Sequence, residues 1–138
     1  MAFGIEGLVV FPALIIGVVI GLIELFFVHA DESGMGWFMH GLHALPFTIL
    51  FVFVSMNISF VLGFLNLAIT ETWYVDMGIR VLIGIIAMVK IASAAAIVGR
   101  IGERWYHTLA IGIIIILAPY AWDLLGPTIT PMLPVWMQ

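Results

Sequence analysis

The chain has 138 residues, 64% of them hydrophobic and 9% charged, with a mean hydropathy of +1.28. A soluble domain carries about 25% charged residues, so this composition belongs to the lipid bilayer, and the length to one domain. A net charge of −4 with no basic run excludes nucleic acid as a partner. Zero cysteines exclude disulfides, thiolate metal sites, iron–sulfur clusters and c-type haem attachment.

The residues before the first apolar run lack the positive region of a secretory signal, and the run itself is too long for a signal core. It reads as a retained membrane span over about 7–28, close to the ~20 residues that cross ~30 Å of hydrocarbon. Pro12 falls in its opening turns, where a missing N–H costs least. Ala13, Gly17 and Gly21 recur every fourth residue, a small-residue stripe that lets a second helix approach closely. Glu24, three residues beyond Gly21, continues that face, so its carboxyl points into the protein.

A polar turn follows, then an apolar segment over 36–70 that would measure about 50 Å as one helix, well beyond the bilayer core. Asn57 and Ser59 mark a boundary within it. The second span is therefore 36–57, and 58–70 is an interfacial, re-entrant or helix-extending piece. Trp73 and Tyr74 are interface anchors ahead of a third span over 79–101, with Lys90 near its centre. Arg100, Gly102, Glu103 and Arg104 make a tight turn into a fourth span over 107–125. Pro119 should kink this span by removing the hydrogen bond to the Ile115 carbonyl. Pro127, Pro131 and Pro134 predict an extended tail. The expected fold is an all-α integral membrane protein, a four-transmembrane-helix bundle with short loops and a short interfacial helix after span two.

Connectivity then sets sidedness. With four crossings, the turn after Glu24 and the turn at Arg104 lie on one membrane face, which gathers all four histidines there. Arg100 and Arg104 place that face in the cytoplasm and both termini on the other side.

Glu24, His40 and His43 are the candidate metal ligands. The two histidines stand at i and i+3 on one helix face, and Glu24 reaches the same depth from the neighbouring helix. Two imidazoles and a carboxylate suit Zn, Fe, Mn or Cu(II), with Met35 and Met39 as soft donors for Cu(I). The competing assignment leaves both histidines at headgroup level, bonded to the loop and to water. Haem would need His43 and His107 to face each other across a gap, which the small-residue stripe works against.

Lys90 is the costliest residue, about 2.5–3.5 kcal/mol near mid-bilayer, so a partner, Glu24 or Asp123, or else a water-filled path is expected. It serves either a proton or ion path or a structural ion pair. Arg80 and Asp123 are expected to pair with each other or with headgroups, Glu103 to sit in a solvated turn, and Asp31 and Glu32 to act as loop and cap residues. No nucleophile–base pairing, glycine-rich phosphate loop or H-E-x-x-H motif occurs. The sequence thus favours a small accessory or anchor subunit of a larger integral-membrane complex, non-catalytic by itself, with lipid and other membrane subunits as partners. The alternatives are a small metal-ion or proton carrier using Glu24, His40, His43 and Lys90, or a haem- or quinone-binding redox subunit.

Overall fold

The computed structural model of the chain describes residues 8–32, 34, 36–67, 72–97 and 103–137. Among these the secondary structure is entirely helical: α1 (Phe11–Asp31), α2 (Trp37–Met56), α3 (Ile58–Phe64), α4 (Trp73–Ile97) and α5 (Trp105–Ile129). Two 3-10 turns follow, Thr130–Met132 and Val135–Met137. Three stretches are long and apolar enough to cross a membrane, Phe11–Asp31, Trp37–Met56 and Trp105–Met132, as befits a membrane protein. Arg100, Met35, the outer ends of the expected first and third spans and the end of the 58–70 piece lie outside the described residues.

β-branched residues crowd α1, yet it is helical. In lipid each backbone N–H and C=O must find its partner within the segment, which overrides the weak strand preference of Ile and Val. Gly34, at φ 96°, makes the left-handed bend in the short connection to α2. The two helices then pack antiparallel along glycine. A Cβ on Gly17 would lie 3.0 Å from the Ile49 Cα, and one on Gly21 would lie 2.9 Å from Leu45 Cδ2. Ala13 on the same stripe is fully buried. A second close approach joins α4 to α5, where a Cβ on Gly84 would meet the Gly112 carbonyl oxygen at 3.0 Å. Between these contacts lies an aliphatic core of Ile16, Ile20, Val52, Ile83, Ile111 and Ile115.

Three polar side chains away from the histidines determine how the helices end and join. Asn57 stops α2 because its amide takes over local backbone bonding. Its Nδ2 donates to the carbonyls of Phe53 (2.9 Å) and Val9 (3.1 Å), and its Oδ1 accepts the Val9 N–H at 2.6 Å. The chain therefore restarts as the separate short helix α3, and Val9, just ahead of α1, is pinned to that corner. Ser55 answers Pro119: the proline has no N–H for the Ile115 carbonyl, and Ser55 Oγ donates to that oxygen at 2.9 Å instead. Arg80 forms a two-pronged pair with Asp76, at 2.7 and 2.9 Å, donates to the Ser55 carbonyl and lies over the Tyr120 ring. The expected pairing of Arg80 with Asp123 is thus replaced by an i,i+4 pair within α4, since Asp76 is one turn away and Asp123 is exposed.

The tail also departs from expectation. Instead of an extended segment, α5 runs through Pro127 to Ile129 and passes into 3-10 turns. Gly126 precedes Pro127 and has no Cβ for the ring to strike, so the steric objection to helix before a proline is relieved.

Candidate functional site

The histidines and four of the carboxyl groups gather at one end of the bundle, where the C-terminus of α1, the N-terminus of α2 and the N-terminus of α5 meet. Glu24 and His40 are the deepest of these groups, 2% and 0% exposed. The α1–α2 register set by Gly17 opposite Ile49 and Gly21 opposite Leu45 brings Glu24 within about 3 Å, along the helix axis, of the level of His40. His40 Nδ1 lies 3.0 Å from His29 Nδ1, so one of the pair donates and the other accepts a single proton. His29 also stacks on Trp37, with ring centroids 3.6 Å apart. His40 Nε2 faces the Glu32 carboxylate at 3.9 Å.

His43 takes no part in this. It is exposed, and its Nδ1–H donates to the Met39 carbonyl at 2.9 Å. Of the three ligands expected from sequence, Glu24 and His40 therefore share the buried end and His43 lies on the outer side of α2. The expected haem pair is likewise placed apart in environment. His107 is stacked face to face on Phe27 at 4.1 Å and bonded to Asp31, while His43 stays on the surface.

The residues whose metal-ligand atoms do converge, among those described, are Asp31, Glu103 and His107, all within 4.8 Å of one another. Asp31 closes α1 and reaches across to cap α5. Its Oδ2 accepts the Arg104 backbone N–H at 2.9 Å and the His107 Nδ1–H at 2.6 Å, and its Oδ1 stands 3.4 Å from Arg104 Nε. A carboxylate at a helix N-terminus completes backbone donors the helix cannot satisfy and meets the positive end of its dipole. Asp31 is thus a capping residue, but of α5, not of the second span.

Glu103 is drawn inward instead of lying in a solvated turn. Its Oε2 accepts the Thr108 Oγ1–H at 3.2 Å, while its Oε1 is buried with no hydrogen-bond partner among the described residues. Burial pushes its carboxyl up from 4.5 to about 7; Asp31 and Glu32 add to this, and the Thr108 bond and His107 oppose it. Glu24 Oε2 is the second buried carboxyl oxygen with no hydrogen-bond partner among the described residues, and Glu24 feels the charges of Glu103, Asp31 and Glu32.

Asp31, Glu103 and His107 were legible as a spacing though not as a site. Asp31 is seven residues from Glu24, two helical turns along the same face of α1, and Glu103 is four residues from His107. What no spacing reveals is the docking of residue 31 against residue 107, a contact between helices far apart in the chain.

Lys90, half-buried on α4, stands with its ammonium 3.7 Å from the centroid of the Phe47 ring. Neither Glu24 nor Asp123 pairs with it, and no carboxylate lies within ion-pair distance of it among the described residues. Comparison of the chain with known protein families, curated proteins and solved structures gives no match.

Proposed function

We propose that the chain is a small accessory subunit of a larger integral-membrane complex, non-catalytic on its own, crossing the bilayer four times with α4 as the additional span. The observation that carries this is Lys90. An ammonium within a membrane helix calls for a carboxylate or a route to water, and here its neighbour is a phenyl ring. A ring face supplies about 0.5–2 kcal/mol of cation–π attraction, less than the cost of inserting a central lysine. A carboxylate or polar group on an adjoining subunit would supply the rest.

Two further features support an accessory role. An aliphatic core lies between the acid–histidine end and the Arg80–Asp76 end, and the buried face of α2 between them carries only the two hydroxyls of Thr48 and Ser55 as polar side chains. The outer face of α4 presents Val81, Leu82, Ile85, Ile86 and Val89, an apolar strip that suits either lipid or a neighbouring helix.

The test is gentle extraction of the tagged chain from its own membrane, followed by native electrophoresis and identification of what migrates with it. The expected result is migration with other membrane subunits, and their loss in a Lys90→Met variant that remains folded. A chain that migrates alone or only with copies of itself, with the variant unchanged, would overturn the assignment.

A further inference from the structure

We propose that Asp31, Glu103 and His107 form a binding site for a divalent transition-metal ion at the membrane face of the bundle, with Glu24 as the buried carboxyl beneath it. The site is separate from the Glu24, His40 and His43 set suggested by spacing, and it stands or falls independently of the accessory-subunit assignment.

Ligand chemistry comes first. Two carboxylates and one imidazole make an oxygen-rich, nitrogen-containing set, suited to Mn²⁺, Fe²⁺ or Zn²⁺ and not to Cu(I). One atom from each residue already lies within 4.8 Å of the others. Tetrahedral zinc with bonds of about 2.0–2.1 Å places its ligands ~3.4 Å apart, so small rotations of Glu103 and His107 suffice to close the site. The 2.6 Å contact between Asp31 Oδ2 and His107 Nδ1 is held by one proton, and a cation there would take that proton's place, the neutral imidazole then carrying its proton on Nε2.

Charge is the second consideration. Four of the chain's eight carboxyl groups, Glu24, Asp31, Glu32 and Glu103, act on one another at this end. The fixed positive charge among them, of the described residues, is Arg104, whose guanidinium is mostly exposed, stands by the Oδ1 of Asp31 and donates to the Tyr106 hydroxyl. Among the described residues, carboxyl groups outnumber fixed cations at this end.

A third observation is the pair of buried carboxyl oxygens, Glu24 Oε2 and Glu103 Oε1, that have no hydrogen-bond partner among the described residues. An unsatisfied acceptor such as that of Glu24, in a residue 2% exposed, is costly in any protein and more so in lipid. Glu24 leads this row of acids from within the bilayer, two turns below Asp31 on the same face. A divalent ion at Asp31, Glu103 and His107 would take the orphaned Glu103 oxygen directly as a ligand.

Neighbouring packing suits a formed site. Phe27 stacks on His107 and Tyr106 meets it edge-on, which fixes the imidazole plane. Thr108 holds one oxygen of Glu103 and leaves the other available.

The experiment uses the full chain in detergent, stripped of metal and titrated separately with Mn²⁺ and Zn²⁺, with binding read by electron paramagnetic resonance and calorimetry. The expected result is one saturable site in the wild type, weakened at least about tenfold by Glu103→Gln and by His107→Gln, and unchanged by His43→Gln. Glu103→Gln keeps a carbonyl oxygen for Thr108, so it decides the matter even where His107→Gln fails to fold. Three results would overturn the proposal: a folded wild type that takes up neither ion at millimolar concentration, a Glu103→Gln variant with wild-type affinity, or loss of binding in His43→Gln.

Discussion

Replacing Gly17 and Gly21 one at a time by alanine gives a paired test of the α1–α2 packing, because the two new methyl groups meet different kinds of neighbour. At Gly17 the added Cβ would sit 3.0 Å from the Ile49 Cα, which moves only if α2 moves. Carbon atoms prefer about 3.5–4.0 Å, so the helices must part by ~0.5–1 Å along a tightly packed seam. Such overpacking costs about 1–3 kcal/mol, and the lower entropy of an unfolded chain with alanine returns about 0.4–1 kcal/mol. The net expectation for Gly17→Ala is a loss of about 1–2 kcal/mol. At Gly21 the nearest atom is Leu45 Cδ2 at 2.9 Å, the tip of a rotatable side chain, and the Leu45 Cα stands farther off at 3.4 Å. Leu45 can turn aside, so Gly21→Ala should stay within about 0.5 kcal/mol of wild type. The assay is reversible unfolding in mixed micelles, with helicity followed as denaturing detergent is raised. A Gly21→Ala variant less stable than Gly17→Ala would refute the contact geometry, and so would Gly17→Ala at or above wild-type stability.

Ser55→Ala should cost about 0.6–2 kcal/mol by leaving the Ile115 carbonyl without its donor. Adding Pro119→Ala should recover most of that loss, because the restored N–H reaches the same oxygen, and unfolding of the double variant checks it. Asp31→Ala should destabilise by about 1–2 kcal/mol through loss of the α5 cap, with Asp31→Asn milder because its side-chain oxygen still accepts the Arg104 N–H. The Glu103 carboxyl, raised to about 7, should show a protonated C=O infrared band that disappears as pH rises through about 7 and is missing in Glu103→Gln. Its sign for stability follows. The folded value exceeds the ordinary 4.5, so the contribution is fully present below 4.5, falls as pH rises and is gone above about 7.

Sequence pattern reached the features that depend on one helix at a time. The apolar runs, the stripe through Ala13, Gly17 and Gly21, the inward direction of Glu24 and the break at Asn57 are all local in spacing or composition. Pro119 was visible as a disruption of α5, while its remedy was not, since Ser55 belongs to another helix. The same limit hid the site. Asp31 and Glu103 look like ordinary loop acids until the N-terminus of α5 docks on the C-terminus of α1, where one becomes a cap and the other turns a carboxyl oxygen inward. Lys90 shows the limit from the other side. Its charge demanded a partner, but helix rotation turned it toward Phe47 and away from both carboxylates that depth alone suggested. The small-residue contact between Gly84 and Gly112 has no signature in the sequence, because neither glycine belongs to a repeating stripe.

The acid–histidine end is functional only if its parts share one membrane face, and the chain's lack of cysteine makes that directly measurable. Single cysteines would be placed at Gly36 and Trp105, beside the cluster, and at Leu67 and Val135, away from it; all four positions are exposed. Sealed vesicles are then treated with a maleimide that cannot cross the bilayer. Four crossings require Gly36→Cys and Trp105→Cys to label from one side, and Leu67→Cys and Val135→Cys from the other. Labelling of Gly36→Cys and Trp105→Cys from opposite sides would contradict the shared face and with it the site.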